Sequence, residues 1–146
     1  MKRAMARQAP LDLALSAQPE AVPAVRRAVR ARLIEWGLGD LVDPVSVVVS
    51  ELATNAVLHT RGTLRVTLRR ENDGARLEVA DDSPRLPQQR QRSALSGTGR
   101  GLAIVAELAR EWGVQATDGG GKVVWAAFSP QDSEAVWQSK DWLADL

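Results

Sequence analysis

Apolar and polar positions change period several times along the chain, and each change predicts an element. Leu11, Leu13 and Leu15 alternate with Asp12, Ala14 and Ser16, the period of a half-buried strand that ends before Pro19. From Glu20 to Trp36 the period becomes helical, with Val22, Val25, Val29, Leu33 and Trp36 on one side and arginines elsewhere, and Gly37 and Gly39 supply the stop. Asp43 and Pro44 read as an N-cap and a first helical residue, which opens a second helix running to about His59. Alternation returns in Thr63–Arg70 and Arg76–Ala80, and the Asn72–Asp73–Gly74 turn between them predicts an antiparallel hairpin. Asp82 to Gly99 has no sustained period and is expected to be a long loop, whose polar stretch Gln88–Arg92 suits a lid that orders on ligand. Leu102, Val105, Leu108 and Ala109 mark a third helix. Gly113–Thr117 and Lys122–Phe128 then flank the Asp118–Gly121 turn as a second hairpin.

The order β-α-α-β-β-loop-α-β-β, with strands paired mainly as hairpins, predicts an α+β fold: a two-layer sandwich with helices on one face of a mixed, mainly antiparallel sheet. Three segments follow from the same reading. Residues 1–10 form a flexible tail, 11–130 the domain, and 131–146 a second tail in which Trp137, Trp142 and Leu143 are placed to form a short docking helix.

Composition narrows the function classes. At 146 residues the chain has room for one domain with its own core. The absence of cysteine excludes a disulfide framework, a thiolate zinc site and a thiol nucleophile, and His59, the single histidine, excludes a multi-histidine metal centre. Nineteen basic residues against eighteen acidic ones give a net charge of +1, too balanced for a protein whose main task is gripping nucleic acid. No stretch is expected to reach the apolar length of a membrane span, and Met1–Pro10 lacks the hydrophobic run of a signal peptide, so a cytoplasmic protein is expected.

Three places carry candidate chemistry. On the second helix, Glu51 and Asn55 lie only ~40° apart at the rim of the apolar arc made by Val45, Val48, Val49, Leu52 and Ala56. There they offer a carboxylate as base and an amide oxygen to a hard cation such as Mg²⁺. The helix alone favours the plainer reading of a pair that solvates its edge. Gly97–Thr98–Gly99–Arg100–Gly101–Leu102 leads three alternate glycines into a helix, the make-up of a phosphate cradle and equally of a flexible hinge. Asp81 ends a strand, where a carboxylate can accept a hydrogen bond from an exocyclic amine, although an ordinary turn-initiating Asp before Ser83–Pro84 reads the same way.

Taken together, "ELATNAVLHT", "VADDSP", "GTGRGLAIV" and "GGGKVVWAAF" resemble the GHKL ATPase/kinase superfamily from about Leu11 to Phe128, and within it the small stand-alone domains related to anti-sigma factor serine kinases. The resemblance implies ATP and Mg²⁺ as cofactors, with Asn55 as the Mg²⁺ ligand and Glu51 as the catalytic base. It likewise implies Asp81 at the adenine amine, and Gly97, Gly99, Arg100, Gly101 and Leu102 at the phosphates. His59, one turn beyond Asn55, is read as packing. The function implied is a serine/threonine protein kinase acting on an anti-sigma factor antagonist in a partner-switching pathway, with a sigma factor as a further partner and homodimer formation through the first strand and helix. The alternative is a partner-binding regulatory module without kinase activity. One departure bears on the choice: the superfamily's D-x-G-x-G is replaced here by Asp81–Asp82–Ser83–Pro84–Arg85, without either glycine.

Overall fold

A computed structural model describes residues 9–84, 101–130 and 137–139. Five strands, β1 (Leu11–Ser16), β2 (Thr63–Glu71), β3 (Gly74–Asp81), β4 (Glu111–Ala116) and β5 (Lys122–Phe128), form one sheet in the order β1-β2-β3-β5-β4. All four ladders are antiparallel. The helices α1 (Ala21–Glu35), α2 (Val42–His59) and α3 (Gly101–Leu108) pack on one another and on the sheet, giving the expected α+β sandwich.

Alternation decides which face of the sheet the helices cover. Leu64, Val66 and Leu68 of β2, Leu77 and Val79 of β3, and Val124 and Ala126 of β5 point inward and are buried with Val25, Val29 and Leu33 of α1 and Val45, Val48, Val49 and Leu52 of α2. The opposite face is polar. There Arg65 grips Asp12 through two 2.9 Å hydrogen bonds, and Glu78 accepts from Arg69 and Arg76, whose guanidinium lies 4.2 Å from the centre of the Trp125 ring.

The stop of α1 falls where the glycine predicts. Gly37, at φ +75°, lets its own N–H reach the Ile34 carbonyl at 2.9 Å and the Leu38 N–H reach that of Leu33 at 2.8 Å, the paired bonds of a Schellman motif. The start of α2 differs from expectation. A 3₁₀ turn, Gly39–Leu41, runs straight into Val42, so the helix begins one residue before Asp43, and Leu41 is the N-cap. Leu41 and Val42 are buried, which anchors the turn, while the Asp43 carboxylate pairs with Arg30 at 3.3 Å instead of capping. Pro44 still sits in the first turn, where a missing N–H breaks no helical bond.

Two further expectations are corrected. The hairpin between β2 and β3 is tighter than Thr63–Arg70 and Arg76–Ala80 implied, because Glu71 pairs with Gly74 and leaves a two-residue loop with Asn72 at φ +56°. Gly74 belongs to the strand because β5 passes so close that a side chain there would strike the Phe128 backbone. In addition, Gly39–His59 is long and apolar enough to match a membrane span, contrary to the sequence reading. Its hydropathy serves the core: α2 lies between α1 and α3 and across the sheet, and most of its residues are buried. The long loop expected over Asp82–Gly99 falls mainly outside the described residues, as do the first eight residues and most of the C-terminal tail. Trp137, within a described helical stretch 137–139, packs against the core.

Candidate functional site

α2 packs on β3, the strand whose end lies opposite the start of β5. The chain leaves α2 at His59 and enters β2 at Thr63, and β3 returns antiparallel with Ala80 opposite Arg65. The end of β3 is therefore brought back beside the C-terminal end of α2, the end that carries Asn55. Contact between Gly62 and Asp82 marks the closeness: a Cβ on Gly62 would stand 2.6 Å from the Asp82 carboxylate.

Glu51 and Asn55 occupy α2 one turn apart, as the spacing predicted. Asn55 is buried at 3% exposure. Glu51 is half-buried, and its Oε2 is fully enclosed with no hydrogen-bond partner among the described residues. Burial without a compensating donor pushes the Glu51 carboxyl above the ordinary glutamate range. A carboxylate in that condition is primed to take a proton or to meet a cation, and a neighbouring amide oxygen is a suitable hard ligand. These two residues fit a Mg²⁺-bearing phosphate group. His59 closes the same helix as its last residue.

Asp81 is the carboxylate that faces the helices, sharing its side of β3 with Leu77 and Val79, whereas Asp82 is exposed and turned to Gly62. Its surroundings were not foreseen. Lys122, directly opposite on β5, places Nζ 2.9 Å from Oδ1 and 3.0 Å from Oδ2 of Asp81, and donates also to the Ser83 carbonyl at 3.1 Å. The Ser83 N–H adds a 2.8 Å bond to Oδ1. Both charged side chains are about 3% exposed. Ser83 thus closes an Asx-type turn in place of the first glycine of D-x-G-x-G, and the carboxylate expected to meet an exocyclic amine has three of its acceptor positions taken within the protein. Lys122 was read in the sequence only as the first residue of a strand. The β3–β5 pairing that sets it against Asp81 joins segments some forty residues apart, and no turn announces its register.

Of the phosphate-side residues, Gly97, Gly99 and Arg100 lie outside the described residues. Gly101 is the first residue of α3, and Leu102 is buried beside Ile104 and Val105. Packing of α3 against α2 brings the end of the glycine motif onto the element that carries Glu51 and Asn55. A shallow recess of about 260 Å³ opens nearby, lined by Thr63, Arg65, Ala80, Asp81, Asp82 and Thr117. Arg65 and Ala80 face away from the helices, so this recess lies on the wrong side of the sheet to join the residues of α2.

Sequence comparison agrees with the architecture. The histidine kinase-like ATPase domain matches residues 15–128, most of the chain, and the protein belongs to that family. Its members form the GHKL type of ATPase, which implies ATP binding, usually with Mg²⁺. Comparison with curated proteins finds no match.

Proposed function

We propose that this domain is an ATP- and Mg²⁺-dependent regulatory protein kinase of the anti-sigma factor type, which phosphorylates a serine or threonine of an antagonist protein in a partner-switching pathway. The observation that supports it most is Glu51: a carboxylate with one oxygen enclosed and unpartnered among the described residues, and basicity raised by burial, one turn from buried Asn55. Mg²⁺-ATP, when bound, supplies the phosphoryl group and neutralises its charge. Asn55 holds the cation through its amide oxygen. Glu51 accepts the proton of the attacking hydroxyl, a role for which a carboxyl pKa moved toward neutrality is favourable. A phosphoryl donor of this kind agrees with the cytoplasmic setting expected from the sequence.

Calorimetric titration with a non-hydrolysable ATP analogue tests the reading. Binding should require Mg²⁺, and Asn55→Ala should weaken it by about tenfold or more. Glu51→Ala should retain binding and lose transfer of a labelled γ-phosphate. Absence of Mg²⁺-dependent binding at millimolar nucleotide would overturn the proposal.

A second reading, a partner-binding module without kinase activity, is favoured by one observation, the occupation of Asp81 by Lys122. Under it, nucleotide would bind weakly or not at all, and the Glu51 variant would behave as wild type in partner binding.

A further inference from the structure

The pair formed by Asp81 and Lys122 bears on which nucleotide the site accepts, and the argument rests on the nucleotide-site reading above. A carboxylate has about four lone-pair positions. Three of those on Asp81 are engaged, two by the Lys122 ammonium and one by the Ser83 N–H. The ammonium in turn directs its donors to Oδ1, Oδ2 and the Ser83 carbonyl, which uses all three of them and leaves Asp81 one acceptor position on a neutralised carboxylate. Its position is fixed from both strands. Asp81 and Lys122 are register partners on β3 and β5, and Gly121 lets β5 lie so close that any side chain there would strike the Asp81 carbonyl.

An incoming exocyclic amine finds that single position on a carboxylate whose charge Lys122 already neutralises, and gains less from it than from a free carboxylate. To bond it fully, the amine would have to displace Lys122 and leave a buried ammonium without its counter-charge, which is strongly unfavourable. We infer that Lys122 is a specificity-determining residue: by satisfying Asp81 it removes the reading of the base's exocyclic amine, and the site accepts purine nucleoside triphosphates with little regard to that group. The phosphate and Mg²⁺ end then carries the affinity. Lys122 touches no reacting atom and acts through Asp81.

The test compares Mg²⁺-dependent binding of non-hydrolysable analogues of ATP and purine riboside triphosphate, the second lacking the 6-amine, to wild type, Lys122→Arg and Lys122→Thr. Wild type and Lys122→Arg should bind both within about threefold. Lys122→Thr frees the carboxylate and should prefer ATP over the purine riboside analogue by about tenfold, the worth of one hydrogen bond to a charged acceptor. A larger than threefold preference for ATP in the wild type would overturn the inference, as would continued indifference in a folded Lys122→Thr. Should Lys122→Thr fail to fold, judged by circular dichroism, the wild-type comparison decides alone. Binding of ATP by Lys122→Thr where the wild type binds nothing would also overturn it, since the wild-type site would then not accept purine nucleotides at all. If neither protein binds any nucleotide, the nucleotide reading itself falls and this inference with it, whereas base selectivity in the wild type removes only the inference.

Discussion

Enclosing a carboxylate oxygen without a donor is unfavourable, and Oε2 of half-buried Glu51 has none among the described residues. The consequence for stability has a definite sign. Because burial raises the Glu51 pKa in the folded chain, its contribution is fully present below the ordinary glutamate value near 4.5 and is lost as pH rises through the folded value. Glu51→Gln, which cannot ionise, should therefore match wild type well below pH 4.5 and be more stable near neutrality, as measured by urea midpoints at the two conditions. A wild type that is the more stable at neutral pH would mean that Glu51 has found a partner. Sacrifice of stability at this position is what a proton-accepting site leads one to expect. Helical spacing made Glu51 and Asn55 legible, since a rim position needs only the 3.6-residue period. The state of Asp81 was not legible, because it depends on Lys122 and on Ser83, and the partner across β5 is a matter of tertiary register.

At the level of elements, the strongest predictions from sequence were those with local causes. Gly37 stops α1 through bonds made within two residues, and the Asn72–Asp73 loop reverses β2 into β3. The start of α2 was misplaced because burial of Leu41 and Val42, a tertiary effect, outweighed the capping preference of Asp43. Close approach between strands is likewise invisible in a single sequence. Gly121 looked like one of three turn glycines, yet it is Gly120 that takes the positive φ of +90°, while Gly121 is needed for contact with Asp81. Gly121→Ala should push β5 from β3 at the end that carries Lys122 and destabilise the fold by about 1–3 kcal/mol. Gly119→Ala, where a Cβ meets nothing within 4 Å, should be far milder. Equal denaturation midpoints for the two variants would contradict this account of the strand contact.

For the whole molecule, the sheet is the frame on which one helix carries the candidate chemistry. Among the described residues, its two sequence halves, the unit from β1 to β3 and the unit from α3 to β5, meet in the sheet through the β3–β5 ladder alone. A ligand held between α2 and that ladder would bind the native state and not the unfolded chain. Mg²⁺-ATP at a hundredfold excess over its Kd should then add about 2.7 kcal/mol and raise Tm by on the order of 10 °C. The same nucleotide without Mg²⁺ should do much less. A thermal shift independent of Mg²⁺ would remove the cation from the site.

The β3–β5 ladder has one more consequence. Two segments far apart in sequence must find each other in one register out of several, and Val123–Phe128, apolar on both faces, itself discriminates poorly between neighbouring alignments. A slip by one residue would turn either Asp81 or Lys122 to the outer face and leave the other charge alone beneath the helices. The buried pair thus marks one alignment out of several: only the native register brings both charges beneath the helices together.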